Sequence, residues 1–338
     1  MKRALITGIT GMVGSHLADY LLEQTDWEVH GMMRWIDSTK NIDHLSSYVN
    51  SKNRVYLHNA DLNDFASLIN VVNKVGPDYV FHLAAQSYPK TSFDSPLETL
   101  QTNVVGTCAL LEAIRISKLD LQNVVIHVCA SSEVFGRVPR EKLPIHEDVT
   151  FHPASPYAIS KVGTDLIGRF YAEAYGMKVM TTRMFTHTGP RRGDVFAESS
   201  FAKQIALIEA KKIPPVLKVG NLDSLRTWSD VRDAVRAYYM LVTENPVGGE
   251  YYNIGGSYTC TVRQMLDYLL SLSTESNIKV EVDNDRLRPI DADLQIPDTT
   301  KFKNHTGWEP RIKFEKTMID LLNYWRDRVR SDENFIVR

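Results

Sequence analysis

Tyr157 and Lys161 stand four residues apart in the stretch SPYAISK, a spacing that places both on one face if the segment is helical. A phenol that titrates near pH ~10 is a poor base at neutrality, and an ammonium beside it stabilises the phenolate and lowers that value. The same ammonium can also hydrogen-bond a ribose. Y-x-x-x-K alone is a frequent accident and gains weight only from its surroundings. The stretch ASSEVFG follows an apolar run, so Ser131, Ser132 and Glu133 are expected at the carboxyl end of a strand, where open α/β sheets bind ligands. A hydroxyl there can bond a substrate hydroxyl undergoing oxidation. Glu133 suits a reaction that moves a second proton, such as loss of a C–H proton next to a newly formed ketone. The bland alternative is a carboxylate that caps a turn.

A second group of residues opens the chain. TGITGMVG places Gly8, Gly11 and Gly14 in G-x-x-G-x-x-G spacing, with Met12 and Val13 among them, between an apolar run and a helix-forming segment. Glycines so placed permit a tight turn and close backbone approach to a pyrophosphate, and the following helix offers free N–H groups and partial positive charge to it. Dinucleotide enzymes that use NAD place a carboxylate at the end of the next strand, on the ribose 2′-hydroxyl. Here WEVHGMM ends in Arg34, whose fork suits a 2′-phosphate and hence NADP. Asp37 is a carboxylate three residues further on.

These groups need elements to position them. Apolar runs at 4–7, 28–33, 55–59, 79–83, 124–130 and 179–184 read as strands, and amphipathic stretches at 16–23, 67–74, 104–117 and 158–175 as helices. Strands separated by helix-length segments imply βαβ crossovers and a parallel sheet. The nearly unbroken apolar run VVIHVCA is the composition of a strand buried on both faces. The expected fold class is α/β: a Rossmann-type doubly wound parallel sheet over 1–185, a smaller C-terminal α/β substrate-binding portion over 186–330 ending in a helix at 314–329, and a polar tail at 331–338. Composition is that of a globular protein, with net charge -2 and 43% hydrophobic residues. No basic excess points to nucleic acid, no apolar run reaches the ~18 residues of a membrane span, and MKRALITG lacks the apolar core of a signal peptide. The cysteines Cys108, Cys129 and Cys260 show no metal spacing and read as reduced thiols. The expectation is a cytoplasmic enzyme without a metal, a nucleic-acid partner or a membrane partner.

Several stretches together resemble the extended short-chain dehydrogenase/reductase superfamily and, within it, the GDP-mannose 4,6-dehydratase family. They are ALITGITG with GSHLADYLL, EVHGMMR, NADLND, HLAAQS, SSEVFG, SPYAISK, GPRRG, GNLDSLR and RPIDAD, and they cover nearly the whole chain. The resemblance implies an NADP-dependent hydro-lyase acting on a nucleotide-activated hexose, with a GDP-sugar favoured, as a homodimer or homotetramer. It implies catalysis by Ser131, Glu133, Tyr157 and Lys161. Asp61 and Leu62 would flank the adenine, and Leu83, Ala84, Ala85, Gln86 and Ser87 would line the cofactor. His187 and Arg192 would reach the nicotinamide or the phosphates. Ser87, Ser132 and Thr186 would face the substrate, with Arg226 and Arg288 on its diphosphate. Four stretches depart from the family pattern: Ser131 stands for Thr, FTHT for FNHE, GITGMVG for GITGQDG and RPIDAD for RPTEVD. From the residues alone, other sugar-nucleotide reactions on this fold stay open: a GDP-heptose dehydration, a 4-epimerisation, a 4-keto reduction or a UDP-glucuronate decarboxylation. So does a non-enzymatic cofactor sensor.

Overall fold

The computed structural model describes residues 1–290 and 292–331. Its centre is a sheet of β1 (Arg3–Thr7), β2 (Glu28–Met33), β3 (Val55–Asn59), β4 (Tyr79–His82), β5 (Val125–Cys129) and β6 (Lys178–Met184). A further strand, β10 (Tyr251–Ile254), completes it, in the order β10-β6-β5-β4-β1-β2-β3. Every pairing in it is parallel. The strand expectations hold to within one residue at their ends. The helices at Phe65–Val75 and Pro156–Tyr175 lie where the periodicity put them. The helix expected at 16–23 begins earlier, at Met12, because the residues between the glycines already turn helically.

Local chemistry explains the ends that matter. Ser155 accepts a hydrogen bond from the N–H of Ala158 at 3.0 Å and Pro156 takes the first helical position, so the chain turns helical directly before Tyr157. Gly176, at φ 65°, ends that helix in the left-handed region. The sheet is covered on both faces. One face packs Leu17, Ala18 and Leu21 together with Ala234, Tyr238 and Leu241, and the other packs Leu68, Val72, Leu110, Leu111 and Ile114.

The boundary expected at residue 185 does not divide the molecule. β10 pairs with β6, Tyr251 opposite Thr181, and the helix Val231–Thr243 fills one core face of the first sheet. Phe302 and Trp308 belong to the same core. The chain therefore leaves the first sheet, builds a second portion, and returns to it twice, because the edge strand β6 and the adjoining apolar face would otherwise be left uncovered.

The second portion holds β7 (His187–Thr188), β8 (Val216–Val219), β9 (Leu225–Asp230), β11 (Tyr258–Thr261), β12 (Lys279–Val282) and β13 (Leu294–Gln295). β9 is the hub, antiparallel to β11 and parallel to β13 and β7. The helices Ala197–Glu209, Val262–Ser271 and Phe314–Ser331 close a separate core around Phe201, Met265, Leu321 and Trp325. Ser331 ends the last helix, and 332–338, where the tail was expected, lies outside the described residues.

Candidate functional site

The site opens where β1 and β4 part, at the point where the strand order reverses and parallel sheets leave a crevice at their carboxyl ends. A buried network sets its floor. Thr7 Oγ1 accepts hydrogen bonds from the N–H groups of Leu83 and Ala84, both at 3.0 Å, and lies 2.9 Å from Nδ1 of His82. Nε2 of His82 meets Thr107 Oγ1 at 3.0 Å. Burial pushes the His82 imidazole down to about 3, so a neutral ring joins β4 to its neighbours.

The glycine loop lies on this floor. Gly8 has φ +72°, and its carbonyl accepts the N–H of Gly11 at 3.0 Å. A β-carbon on Gly14 would stand 2.3 Å from the Gly8 carbonyl oxygen, so the helix can start this close to β1 only without a side chain there. Gly11, at the N-cap, brings no side chain of its own to cap the helix. Its first turn, with Gly8, Gly11, Met12, Val13 and Gly14 in the cleft wall, presents backbone N–H groups to an anion. The cradle fits a dinucleotide pyrophosphate.

The cleft continues into the second portion and encloses ≈ 510 Å³. Ser131, Ser132, Glu133, Tyr157, Lys161, Thr186, His187, Arg192, Arg226 and Arg288 all line it, as do Leu83, Ala85 and Ser87. Five expected cofactor contacts stand outside this wall. Ala84 packs under Gly8. Gln86 ties its own loop together: its N–H donates to Asn103 Oδ1 at 2.8 Å, its side-chain amide donates to Thr99 at 3.0 Å and accepts from the N–H of Tyr88 at 2.6 Å. Leu62 is core, against Gly106. Asp61 holds the turn after β3 through the N–H of Asn63 at 2.9 Å. Arg34 is exposed beyond the end of β2, and Asp37 Oδ1 accepts from its Nε at 3.0 Å and its Nη2 at 2.9 Å. A neighbouring carboxylate thus already aligns the fork expected to meet a 2′-phosphate.

At the centre, Tyr157 is 8% exposed and Lys161 5%. Burial drives the Tyr157 phenol upward, while a hydrogen bond with Ser131 and the charge of Arg192 pull it down. Lys161 Nζ donates to the carbonyl of Cys129 at 2.8 Å and lies 6.0 Å from the centroid of the Tyr157 ring. Burial lowers its ammonium. At Tyr157 burial outweighs both Ser131 and Arg192, so the phenol as a whole stands above its ordinary value. Arg192 Nε donates to Glu198 at 3.2 Å, and its guanidinium lies 3.4 Å above the Phe196 ring. His187 is held neutral, down to about 4, by burial and by Arg192.

Glu133 sits on a single turn, Ser132–Phe135, which Ser131 caps by accepting the N–H of Glu133 at 3.2 Å. Gly136 closes that turn at φ +53°, where a β-carbon would collide with the carbonyl of His152. Across the cleft, Arg226 Nη1 lies 3.6 Å from Glu133 Oε1. The structure thus brings an arginine expected on a diphosphate to the candidate acid–base group.

Sequence reasoning missed Tyr88, Lys90, Asn221, Trp228 and Arg286, all in the same wall. Arg286 Nη1 donates to Ser200 Oγ at 3.1 Å, and Arg286 and Arg288 both bear on the Tyr88 phenol. The R-x-R doublet at 286–288 was the available signal for Arg286. Asn221 lies within GNLDSLR, a stretch already singled out, whereas Tyr88, Lys90 and Trp228 carry no local signal of their place in the wall. Among the described residues no cluster of His, Cys, Asp or Glu could hold a metal ion, and no helix is long and apolar enough to cross a membrane.

The model of the GDP-mannose 4,6 dehydratase family matches residues 5–321. The GDP-mannose 4,6-dehydratase of Yersinia enterocolitica is 34% identical over 353 residues, covering 95% of this chain and 93% of that protein. The GDP-mannose 4,6 dehydratase of Drosophila melanogaster is 33% identical, covering 95% of this chain and 85% of its own length. Among solved structures, that of RMD from Pseudomonas aeruginosa complexed with NADPH superposes with a TM-score of 0.81 at 28% identity, over 97% of this chain and 100% of that one.

Proposed function

Because the chain belongs to the GDP-mannose 4,6-dehydratase family, we propose that it converts GDP-mannose to GDP-4-keto-6-deoxymannose by an NADP-dependent elimination of water. One observation carries the reading: the glycine cradle, Ser131, Glu133, Tyr157 and Lys161 meet in a single cleft. A bound NADP supplies the hydride acceptor for C4 and the hydride donor for C6. Gly8, Gly11, Met12, Val13 and Gly14 would hold its pyrophosphate, Arg34 its 2′-phosphate, and Lys161 the ribose on the nicotinamide side. The turn that holds Asp61 and Leu62, after β3, would border the adenine.

Tyr157 takes the proton of the 4-hydroxyl while Ser131 holds the oxygen. The 4-ketone acidifies the C5 proton, which Glu133 removes. Glu133 then protonates the departing 6-hydroxyl, and, once C6 has received hydride, C5 is protonated by Glu133 or by a proton shuttled to it. One water leaves, and the proton taken by Tyr157 balances the one returned to C5. Ser87, Ser132 and Thr186 would face the sugar, and Arg226, Arg286 and Arg288 would share the diphosphate, whose oxygens suit a guanidinium fork. In this reading most of 186–330 serves the substrate, with β10 and the helix Val231–Thr243 assigned to the cofactor sheet.

Supporting the oligomer, Ile159, Leu166 and Phe170 recur on one face of the helix Pro156–Tyr175 and are exposed, a face that a second copy would cover to give a homodimer or homotetramer. The free cysteines Cys108, Cys129 and Cys260 suit the cytoplasm. The test is incubation with a panel of nucleotide sugars, followed by mass spectrometry. Loss of one water from GDP-mannose is the expected result. Epimerised, reduced or decarboxylated products with no dehydration would sink the reading. Sedimentation at working concentration tests the oligomer, and a monomer alone would refute it.

A further inference from the structure

Glu133 and Arg226 belong to different parts of the molecule. Glu133 rides on the turn after β5, a strand of the first sheet, whereas Arg226 projects from β9 in the second. Both side chains line the same cleft, with about one-seventh of each exposed, and their charged atoms come within 3.6 Å. That is an ion-pair distance, longer than a hydrogen bond.

The two ends of this contact are held differently. Arg226 is fixed at its backbone, paired in register with Cys260 of β11 on one side and Gln295 of β13 on the other. The backbone beneath Glu133 is also fixed, by the Ser131 cap and by Gly136. The Glu133 carboxylate itself has torsions left to set beyond its β-carbon, and Arg226 faces it at ion-pair distance. A catalytic carboxylate must be held within a fraction of an ångström of its proton. A guanidinium anchored in a separate sheet can supply that restraint, at a partly dehydrated position where screening by water is reduced.

We propose that Arg226 is a positioning residue for Glu133, setting the carboxylate for the proton transfer at C5 in addition to any hold on the diphosphate. The inference rests on the 4,6-dehydratase reading above. It separates two steps that one active site performs. Oxidation at C4 uses Tyr157, Lys161 and Ser131, which meet this ion pair only through the charge of Glu133 on the Tyr157 phenol and through the Ser131 cap. Proton removal at C5 and expulsion of the 6-hydroxyl depend on where Glu133 points.

The experiment compares Arg226→Gln and Arg226→Lys with the wild type, each holding NADP and given GDP-mannose. Three quantities are read: the NADPH absorbance formed on mixing, the exchange of the C5 hydrogen in heavy water, and the kcat and KM for dehydrated product. For Arg226→Gln, read at saturating GDP-mannose so that any loss of hold on the diphosphate shows in KM alone, the expectation is that NADPH formation persists while kcat and C5 exchange both fall roughly ten- to a hundredfold, the range that a misplaced catalytic group costs. Arg226→Lys keeps the charge and should recover part of both. It also serves as the working variant should Arg226→Gln fail to fold, its C5 exchange then falling below wild type while NADPH formation persists. A rise in KM with kcat and C5 exchange unchanged would make Arg226 a diphosphate ligand alone and overturn the proposal. Equal loss of NADPH formation and of C5 exchange would overturn it too, since the residue would then serve the whole site. If the wild type itself dehydrates no GDP-mannose, the fault lies in the functional reading beneath.

Discussion

The two halves of the cleft are built by different means. The floor of the cofactor half is made of backbone and uncharged groups. Glycines bring chain close to chain, and Thr7, His82 and Thr107 close a hydrogen-bonded network in which the histidine is neutral. The substrate half is made of charges that face one another across loops: Arg192 with Glu198, Arg226 with Glu133, Arg286 with Asp283. The first half is rigid because its bonds are short-range and satisfied. The second is set by ion pairs between side chains, with Arg226 and Glu133 each only about one-seventh exposed, so that water screens their attraction only in part. A dinucleotide's pyrophosphate is common to many enzymes, so a fixed cradle suffices. A sugar nucleotide must be recognised, oriented and released.

The largest effect expected from breaking this contrast is at Glu133. Glu133→Gln keeps size and loses the ionisable group, so release of 4-keto-6-deoxy sugar should drop by at least about a hundredfold, the usual reach of general acid–base groups. NADPH absorbance on mixing should survive and C5 exchange should vanish. Dehydration near the wild-type rate would place the base elsewhere. Tyr157→Phe should cut turnover by a similar factor, about a hundredfold or more, but at the earlier step, so that no NADPH absorbance forms while the cofactor stays bound. Persistence of that absorbance would remove Tyr157 from C4 oxidation.

Next in size is the cofactor half itself. Gly14→Ala sets a methyl against the Gly8 carbonyl oxygen at 2.3 Å, with backbone on both sides and no side chain to yield. We expect protein purified without bound dinucleotide and a lowered Tm, whereas a fully loaded, normally stable variant would mean that the loop can open. At Arg34, the pair with Asp37 is exposed and aligned. Arg34→Ala should narrow the preference for NADP over NAD by roughly ten- to a hundredfold, as expected for a lost guanidinium–phosphate contact. Equal wild-type affinity for the two dinucleotides would refute the role.

The smallest effect should be a pH dependence shared by both halves. His16, His58 and His187 are pushed down to about 4 by burial, and His82 and His127 to about 3. With each folded value below the unfolded ~6.5, the unfolded chain binds protons first as the solution is acidified. Their contribution to stability is whole above pH ~6.5 and is lost as pH falls toward 4 and then 3. Tm measured from pH 7.5 to 4.5 should decline steadily below about 6.5. A flat profile would mean that these imidazoles open to water without unfolding.

Pattern alone was enough for much of this molecule, for reasons that are local. The six strands of the cofactor sheet were legible because a strand buried on both faces must be continuously apolar. The glycine loop was legible because its spacing serves a steric need within a few residues. Tyr157 and Lys161 could be paired because one helix repeats along its own face. Ser131 and Glu133 could be placed at a strand end because β5 announces itself.

What lay beyond reach depended on distance along the chain. That β10 returns to the first sheet, and that the helix Val231–Thr243 covers it, follows from an edge and an apolar face needing cover, which no window of sequence records. Lys161 looked like the group that acidifies Tyr157. Folding also gave Lys161 the Cys129 carbonyl as a partner and brought the charge of Arg192 to Tyr157 from a separate loop. Arg286, Tyr88 and Trp228 became wall residues only when three separate segments closed on one cavity. Short-range sterics and periodicity write themselves into neighbouring residues, while charge pairing and coverage of exposed edges are settled between residues far apart in the chain. For that reason the chemistry of each group could be read from the sequence, and the partner that governs each group was decided by the tertiary structure.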